Sequence, residues 1–267
     1  MIANDGSPWF RLRKPQPNAK IRLFCLPFAG GAATTYRSWQ SFLGEQVEVC
    51  PIQLPGRENR FREAPFRRMS PLLEALGKVL MPYLDLPYCV FGHSLGAIIG
   101  FELCRFLDKR GRAPEILMVS ARKPPELPVD VTLHDKPLSQ LLGRIRELGS
   151  TPNQLLEDPD WLKLLEPLIR ADFEIHETYQ YQVLPKLRCP LVAFGGLDDS
   201  EVSSSQLAAW SQVTDGFFRM QMFSGGHFYI NETTSVLHAV KRELDQIVNC
   251  QNRVVQEQWT SEMPRFD

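Results

Sequence analysis

Six short apolar runs, each leading into a turn and then into a stretch with helical spacing, constrain this chain more than any other feature. They are "IRLFCLPF" (21–28), "VEVCPIQLPG" (47–56), "YCVFGHS" (88–94), "PEILMVSARKPP" (114–125), "CPLVAFGGLDDS" (189–200) and "FFRMQMF" (217–223). Uninterrupted apolar runs of this length suit strands buried on both faces, and strands that alternate with helices give a mostly parallel sheet covered on both sides. Helical spacing is clearest in "PLLEALGKVLMPYL" (71–84), in "AIIGFELCRFL" after Gly96, and in the amphipathic "TSVLHAVKRELDQIVNC" (234–250). The expectation is a single α/β domain over residues 1–267 with helices on both faces of its sheet. Residues 126 to about 182 break the rhythm. They hold no convincing strand and are expected to form three or four short helices, an insertion that either acts as a lid or merely covers core. The polar tail, about 251–267, is expected to be loose.

Composition narrows the classes of function. The chain has 267 residues, is 43% apolar and 23% charged, and carries a net charge of −1. That balance gives no electrostatic reason for a nucleic-acid or anionic-membrane partner. "MIANDGSPWFRLRKPQPNAK" lacks the apolar core of a signal peptide, and no apolar run approaches the roughly 20 residues that span a bilayer. The six cysteines lie far apart, with no CxxC pair and no Cys/His metal spacing, and read as small core residues in a reducing compartment. A cytoplasmic protein is expected.

The junction at Gly92-His93-Ser94-Leu95-Gly96 gives the first chemical lead. Gly-x-Ser-x-Gly is a weak pattern alone, but here a strand runs into it and a helix starts straight after it. Those are the parts of a nucleophile elbow, in which a sharp turn exposes a strained serine at a helix N-terminus. The plainer alternative is Ser94 as a helix cap beside a tight turn. A serine hydroxyl needs a base and an orienting carboxylate, which in this architecture follow the serine in the order Asp, His. Asp198 and Asp199 both follow "PLVAFGG". Asp199 fits the spacing Gly196-x-x-Asp199-x-x-Val202 and is the preferred carboxylate, with Asp198 as fallback. His227 in "FSGGHFYI" follows a late strand and two glycines. His93, His134, His176 and His238 are expected to have no special role. An oxyanion hole would take the backbone N–H of Leu95 and a second N–H from "LPFAGGAA", that of Phe28 or Ala29. That glycine-rich segment lacks both the Gly-Lys-Ser/Thr ending of a P-loop and the GxGxxG spacing, so it is not read as a phosphate site.

Taken together, "CLPFAGGAA", "QLPGRENR", "GHSLG", "IRADFE" and "SGGHFY" resemble the stand-alone type II thioesterases, from about residue 20 to residue 248. These enzymes accompany polyketide synthases, non-ribosomal peptide synthetases and, in animals, fatty acid synthase. The resemblance implies an α/β-hydrolase that cleaves acyl thioesters from the phosphopantetheine arm of acyl or peptidyl carrier proteins and so clears stalled groups. By motif it assigns Ser94 as nucleophile, His227 as general base and Asp199 as its partner, with Leu95 and the start of the glycine-rich loop as the oxyanion hole. It implies no metal and no cofactor, since the substrate itself carries the phosphopantetheine. A monomer is expected. A general carboxylesterase or acyl-CoA hydrolase on the same fold is the competing enzyme, and a non-catalytic carrier-binding protein is the competing class.

Two further features carry expectations. Arg57, Arg60, Arg62, Arg67 and Arg68 cluster within a dozen residues. They either guide an acidic carrier protein to the entrance or pair with Glu58 and Glu63 in a solvated loop. Arg170 and Asp172 in "IRADFE" are expected to pair with each other and hold the insertion.

Overall fold

The computed structural model describes residues 6–127, 132–149, 151, 153–183, 185–231 and 234–262, with the side chains of residue 153 and of residues from 253 onward left out. All six apolar runs form strands: β1 (Ile21–Leu26), β2 (Val47–Pro51), β3 (Tyr88–His93), β4 (Ile116–Ser120), β5 (Leu191–Gly196) and β6 (Phe218–Phe223). They make one sheet in the order β2-β1-β3-β4-β5-β6, and every neighbouring pair is parallel. Each residue of β1 to β5 is buried, which explains the continuous apolar runs, whereas the edge strand β6 is mostly half-buried.

Eight α-helices accompany the sheet among the described residues: α1 (Trp39–Leu43), α2 (Met69–Leu80), α3 (Leu95–Asp108), α4 (Leu138–Leu148), α5 (Asn153–Leu156), α6 (Pro159–Glu177), α7 (Ser204–Ala208) and α8 (Ser235–Glu262). Strand alternation sorts the core into two layers. Phe24 and Leu26 of β1 pack with Leu72, Leu76 and Ile98 of α2 and α3. Ile21, Leu23 and Cys25 of the same strand face Trp39 and the α8 residues Val236, Val240 and Leu244. The cysteines Cys25, Cys50, Cys89, Cys104 and Cys189 are free and buried, and Cys250 is exposed. No helix among the described residues is long and apolar enough to cross a membrane.

The segment between β4 and β5 is helical, as its sequence suggests, but its last helix is not short. α6 runs 19 residues, straight through Pro167. Asp158 caps its start by accepting from the N–H groups of Asp160 and Trp161, and Pro159 occupies the first turn, where its missing N–H costs nothing. Leu133, Leu141, Ile145, Leu156 and Ile169 give the insertion an apolar cluster of its own. The C-terminal helix is also longer than expected. The backbone of α8 stays helical to Glu262, into the stretch anticipated as loose tail, and residues 263–267 lie outside the described residues.

Sheet order places the site. Going outward from β1, the chain builds β2 on one side and β3 on the other, so the loops after β1 and β3 diverge and leave a crevice at their carboxyl ends. Parallel sheets of this kind bind ligands at such a switch point. The glycine-rich loop and Ser94 both lie there.

Candidate active site

Ser94 joins β3 to α3 with φ +52° and ψ −111°, a left-handed conformation that non-glycine residues avoid. Its neighbours explain how the turn is held there. A Cβ at Gly92 would lie 2.0 Å from the Gly96 carbonyl oxygen, and one at Gly96 would lie 2.1 Å from the Leu26 carbonyl oxygen. Only glycine permits that approach. The Ser94 N–H donates to the Ser120 carbonyl at 2.8 Å, which pins the turn to β4. Glu58, Ser94 and Ala121 are the non-glycine residues with positive φ among those described, and all three line one cavity. Backbone strain of this kind concentrates at functional sites.

His227 and Asp199 reach Ser94 from the loops after β6 and β5. His227 Nε2 lies 3.1 Å from Ser94 Oγ. On the other side of the ring, Nδ1 lies 3.0 and 3.1 Å from the two Asp199 carboxylate oxygens. Both side chains are buried, and the Glu201 N–H donates a further bond to Asp199 at 2.8 Å. Asp198, the fallback carboxylate, is exposed. Among the described residues none of the four other histidines hydrogen-bonds to Ser94 or Asp199, though the His93 ring lies 5.5 Å from that of His227. His93 is buried and meets the Ser120 hydroxyl at 2.8 Å, and His134 meets Glu177 at 2.5 Å. His238 packs edge-on to Phe42. His176, on α6, lines the cavity wall.

Leu95 opens α3, so its N–H has no acceptor within the helix. In the glycine-rich loop the Gly31 N–H donates to the Phe28 carbonyl and the Gly30 N–H to Asp172, so these two donors are engaged within the protein, while Phe28 and Ala29 line the same cavity as Ser94. These groups, Ser94 and His227 face a cavity of about 770 Å³. Its far wall is apolar and comes mainly from the insertion, through residues such as Ile145, Trp161, Leu165 and Phe173.

The arginine cluster is largely engaged. Arg57 and Arg60 are buried, Arg57 pairing with Asp172 and Arg60 with Glu63. Arg67 and Arg68 both pair with Glu174, and Arg62 lies over the Phe61 ring. The expected pairing with Glu63 is present. Glu58 accepts instead from Thr34 and Gln53. The expected Arg170–Asp172 pair does not form. Residues two apart on a helix point to different sides, so Arg170 bonds Glu166 one turn back and Asp172 turns inward to Arg57.

A strained elbow serine, a buried carboxylate and a histidine, in that chain order on a parallel sheet, place the chain in the α/β-hydrolase class. Comparison with known proteins narrows the class. The thioesterase domain family matches residues 21–244. The gramicidin S biosynthesis protein GrsT of Aneurinibacillus migulanus is 37% identical over 227 residues, covering 84% of this chain and 89% of its own. Among solved structures, RedJ, a thioesterase from the prodiginine pathway of Streptomyces coelicolor, superposes with a TM-score of 0.81 at 34% identity, covering 86% of this chain and 92% of its own. The type II thioesterase BorB of the borrelidin cluster gives 0.80 at 37%, with 87% and 96% covered. The chain therefore belongs to the thioesterase-domain family. It is a hydrolase of thioesters, and the resemblance of its motifs to type II thioesterases extends across the fold.

Proposed function

We propose that this enzyme edits an assembly line, hydrolysing acyl groups from the phosphopantetheine arm of acyl or peptidyl carrier proteins. The observation that carries the reading is the Ser94–His227–Asp199 relay, 3.1 and 3.0 Å across, opening onto a largely apolar cavity of about 770 Å³. A cavity of that size accommodates a small acyl chain together with part of a pantetheine arm. The relatives from gramicidin S, prodiginine and borrelidin pathways support an assembly-line setting.

In this scheme Ser94 Oγ attacks the thioester carbonyl while His227 Nε2 takes its proton. Asp199 holds the ring with Nε2 toward the serine and stabilises the imidazolium. The Leu95 N–H and that of Phe28 or Ala29 bind the oxyanion. Collapse of the tetrahedral intermediate breaks the C–S bond, and His227 returns the proton to the departing thiolate. Water then enters, His227 takes a proton from it, and the acyl-serine ester is cleaved to a free acid and Ser94. Every proton moved is held by these groups or by water, so the scheme calls for no metal or cofactor. The insertion acts as the lid that shapes the acyl chamber. A single copy supplies every group, so the form proposed is a monomer. The free buried cysteines support a reducing cytoplasm.

Intact-protein mass spectrometry of an acyl-loaded carrier protein, with the matching acyl-CoA and a Ser94→Ala variant alongside, tests the reading. Fast return of the carrier to its free thiol, slow CoA cleavage and a loss of several powers of ten in the variant are expected. A carrier that stays loaded while CoA esters are cleaved would remove the editing role and leave an acyl-CoA hydrolase.

A further inference from the structure

Three segments far apart in sequence meet behind the glycine-rich loop. The Asp172 carboxylate, on α6, is fully buried and uses both oxygens: Oδ1 accepts from Arg57 Nη2 at 2.8 Å and Oδ2 from the Gly30 N–H at 2.7 Å. Arg57, 4% exposed and just after β2, also donates through Nη1 to the Gly31 carbonyl at 2.8 Å. One ion pair thus grips the donor of Gly30 and the acceptor of Gly31. The gripped peptides directly follow Phe28 and Ala29, and Gly30 itself has φ +74°. A Gly-Gly stretch has wide conformational freedom, and nothing in its own side chains selects one arrangement. The planar guanidinium sets two directions at once, which a lysine ammonium does not.

We infer that Arg57 and Asp172 are positioning residues for the oxyanion hole, fixing the loop that presents the Phe28 or Ala29 N–H and tying its geometry to helix α6 of the insertion. The inference rests on the hydrolytic scheme above. A pair that only held the fold together would stabilise the protein without bearing on transition-state affinity. A positioning pair acts selectively on the state in which charge develops on the carbonyl oxygen.

The test compares the wild type with Asp172→Asn and Arg57→Lys on an acyl-loaded carrier protein. It adds two inhibitors: an acyl trifluoromethyl ketone, whose adduct with Ser94 carries an oxyanion, and a non-hydrolysable acyl-pantetheine amide. Losing a whole oxyanion donor costs about 10²–10³ in kcat, so a misaligned one should cost about 10- to 100-fold. KM and the amide Kd should stay within about twofold, and trifluoromethyl ketone affinity should fall in parallel with kcat/KM. Thermal melting of each variant reports folding. Should Asp172→Asn fail to fold, Arg57→Lys, which keeps the charge and gives up the fork, carries the test. Unchanged kcat in folded variants, or equal loss of both inhibitors, would overturn the inference. A wild type inactive on the thioester would count against the scheme itself.

Discussion

His93 lies directly behind the reacting groups. Its Nδ1 shares a hydrogen bond with the Ser120 hydroxyl, which in turn meets the Tyr229 hydroxyl at 2.5 Å. Burial first, and the neighbouring His227 second, pull its pKa well below the usual histidine value, so the ring is neutral. His176 is shifted the same way by burial and by the charges of Arg122 and Lys123. The sign of the consequence follows. Below about pH 6.5 the unfolded chain takes up protons that these native rings refuse, so stability present at neutral pH is lost on acidification. Each histidine contributes up to about 1.4 kcal/mol per pH unit in that window. Urea-unfolding free energies measured at pH 7 and 5.5 should therefore fall less steeply in His176→Gln than in the wild type. Parallel pH curves would show that native His176 takes up its proton as readily as the unfolded chain does.

At the scale of elements, the insertion does two things. It supplies the apolar wall of the cavity, and it is fastened to the loops that carry the site. Arg144 of α4 pairs with Glu201, whose backbone N–H bonds Asp199, while α6 reaches the glycine-rich loop through Asp172. The apolar wall residues, which take no part in those bonds, are expected to set acyl length without disturbing the relay. Leu165→Trp fills part of the chamber. It should lower kcat/KM for an eight-carbon acyl carrier substrate by at least about tenfold relative to the acetyl one, as removing room for a few methylenes does in an apolar pocket. A panel of acyl-loaded carriers measures the ratio, and an unchanged ratio would place the acyl chain elsewhere. Elements of the sheet were the legible part of the sequence, because strands buried on both faces leave continuous apolar runs. The meeting of the Ser94, Asp199 and His227 side chains was legible because an elbow and its partners follow a fixed chain order. The Arg57–Asp172 clamp was not. Both residues sit in quoted motifs, yet 115 positions separate them, and the near neighbour Arg170 offered a simpler partner. The length of α6 was hidden by Pro167, which reads as a helix break.

At the scale of the whole molecule, the segment before β1, which lacks the apolar core of a signal peptide, is built into the fold from Trp9 onward. Trp9 and Phe10 belong to the larger core cluster, and the Phe10 ring lies 4.5 Å from Tyr83. The Trp9 carbonyl accepts from the Gln53 N–H at 2.8 Å, and Arg60 covers the Trp9 ring at 4.3 Å. Arg13 pairs with Glu48, which is 2% exposed on β2, and Arg22 approaches the same carboxylate at 3.5 Å. Removing residues 1–19 would thus expose apolar core beside the sheet and strip a buried carboxylate of its closer partner. Truncating one large buried aromatic side chain costs about 3–5 kcal/mol, and leaving a buried ion half-paired adds to that. With about 2–4 °C of Tm per kcal/mol in a domain of this size, the deletion should lower Tm by roughly 10–20 °C. Replacing Glu48 by Leu in the truncated chain should recover part of the loss, because the half-paired charge disappears with the side chain and Arg22 keeps Asp85. Ser94, Asp199, His227 and the Arg57–Asp172 pair all lie outside the deleted segment. At a temperature where the shortened protein is still folded, hydrolysis of the carrier thioester should continue at a rate close to that of the full chain. Calorimetry and a carrier-loading assay on the same preparation separate the two effects, and an unchanged Tm would mean that Trp9, Phe10 and Arg13 lie on the core without stabilising it.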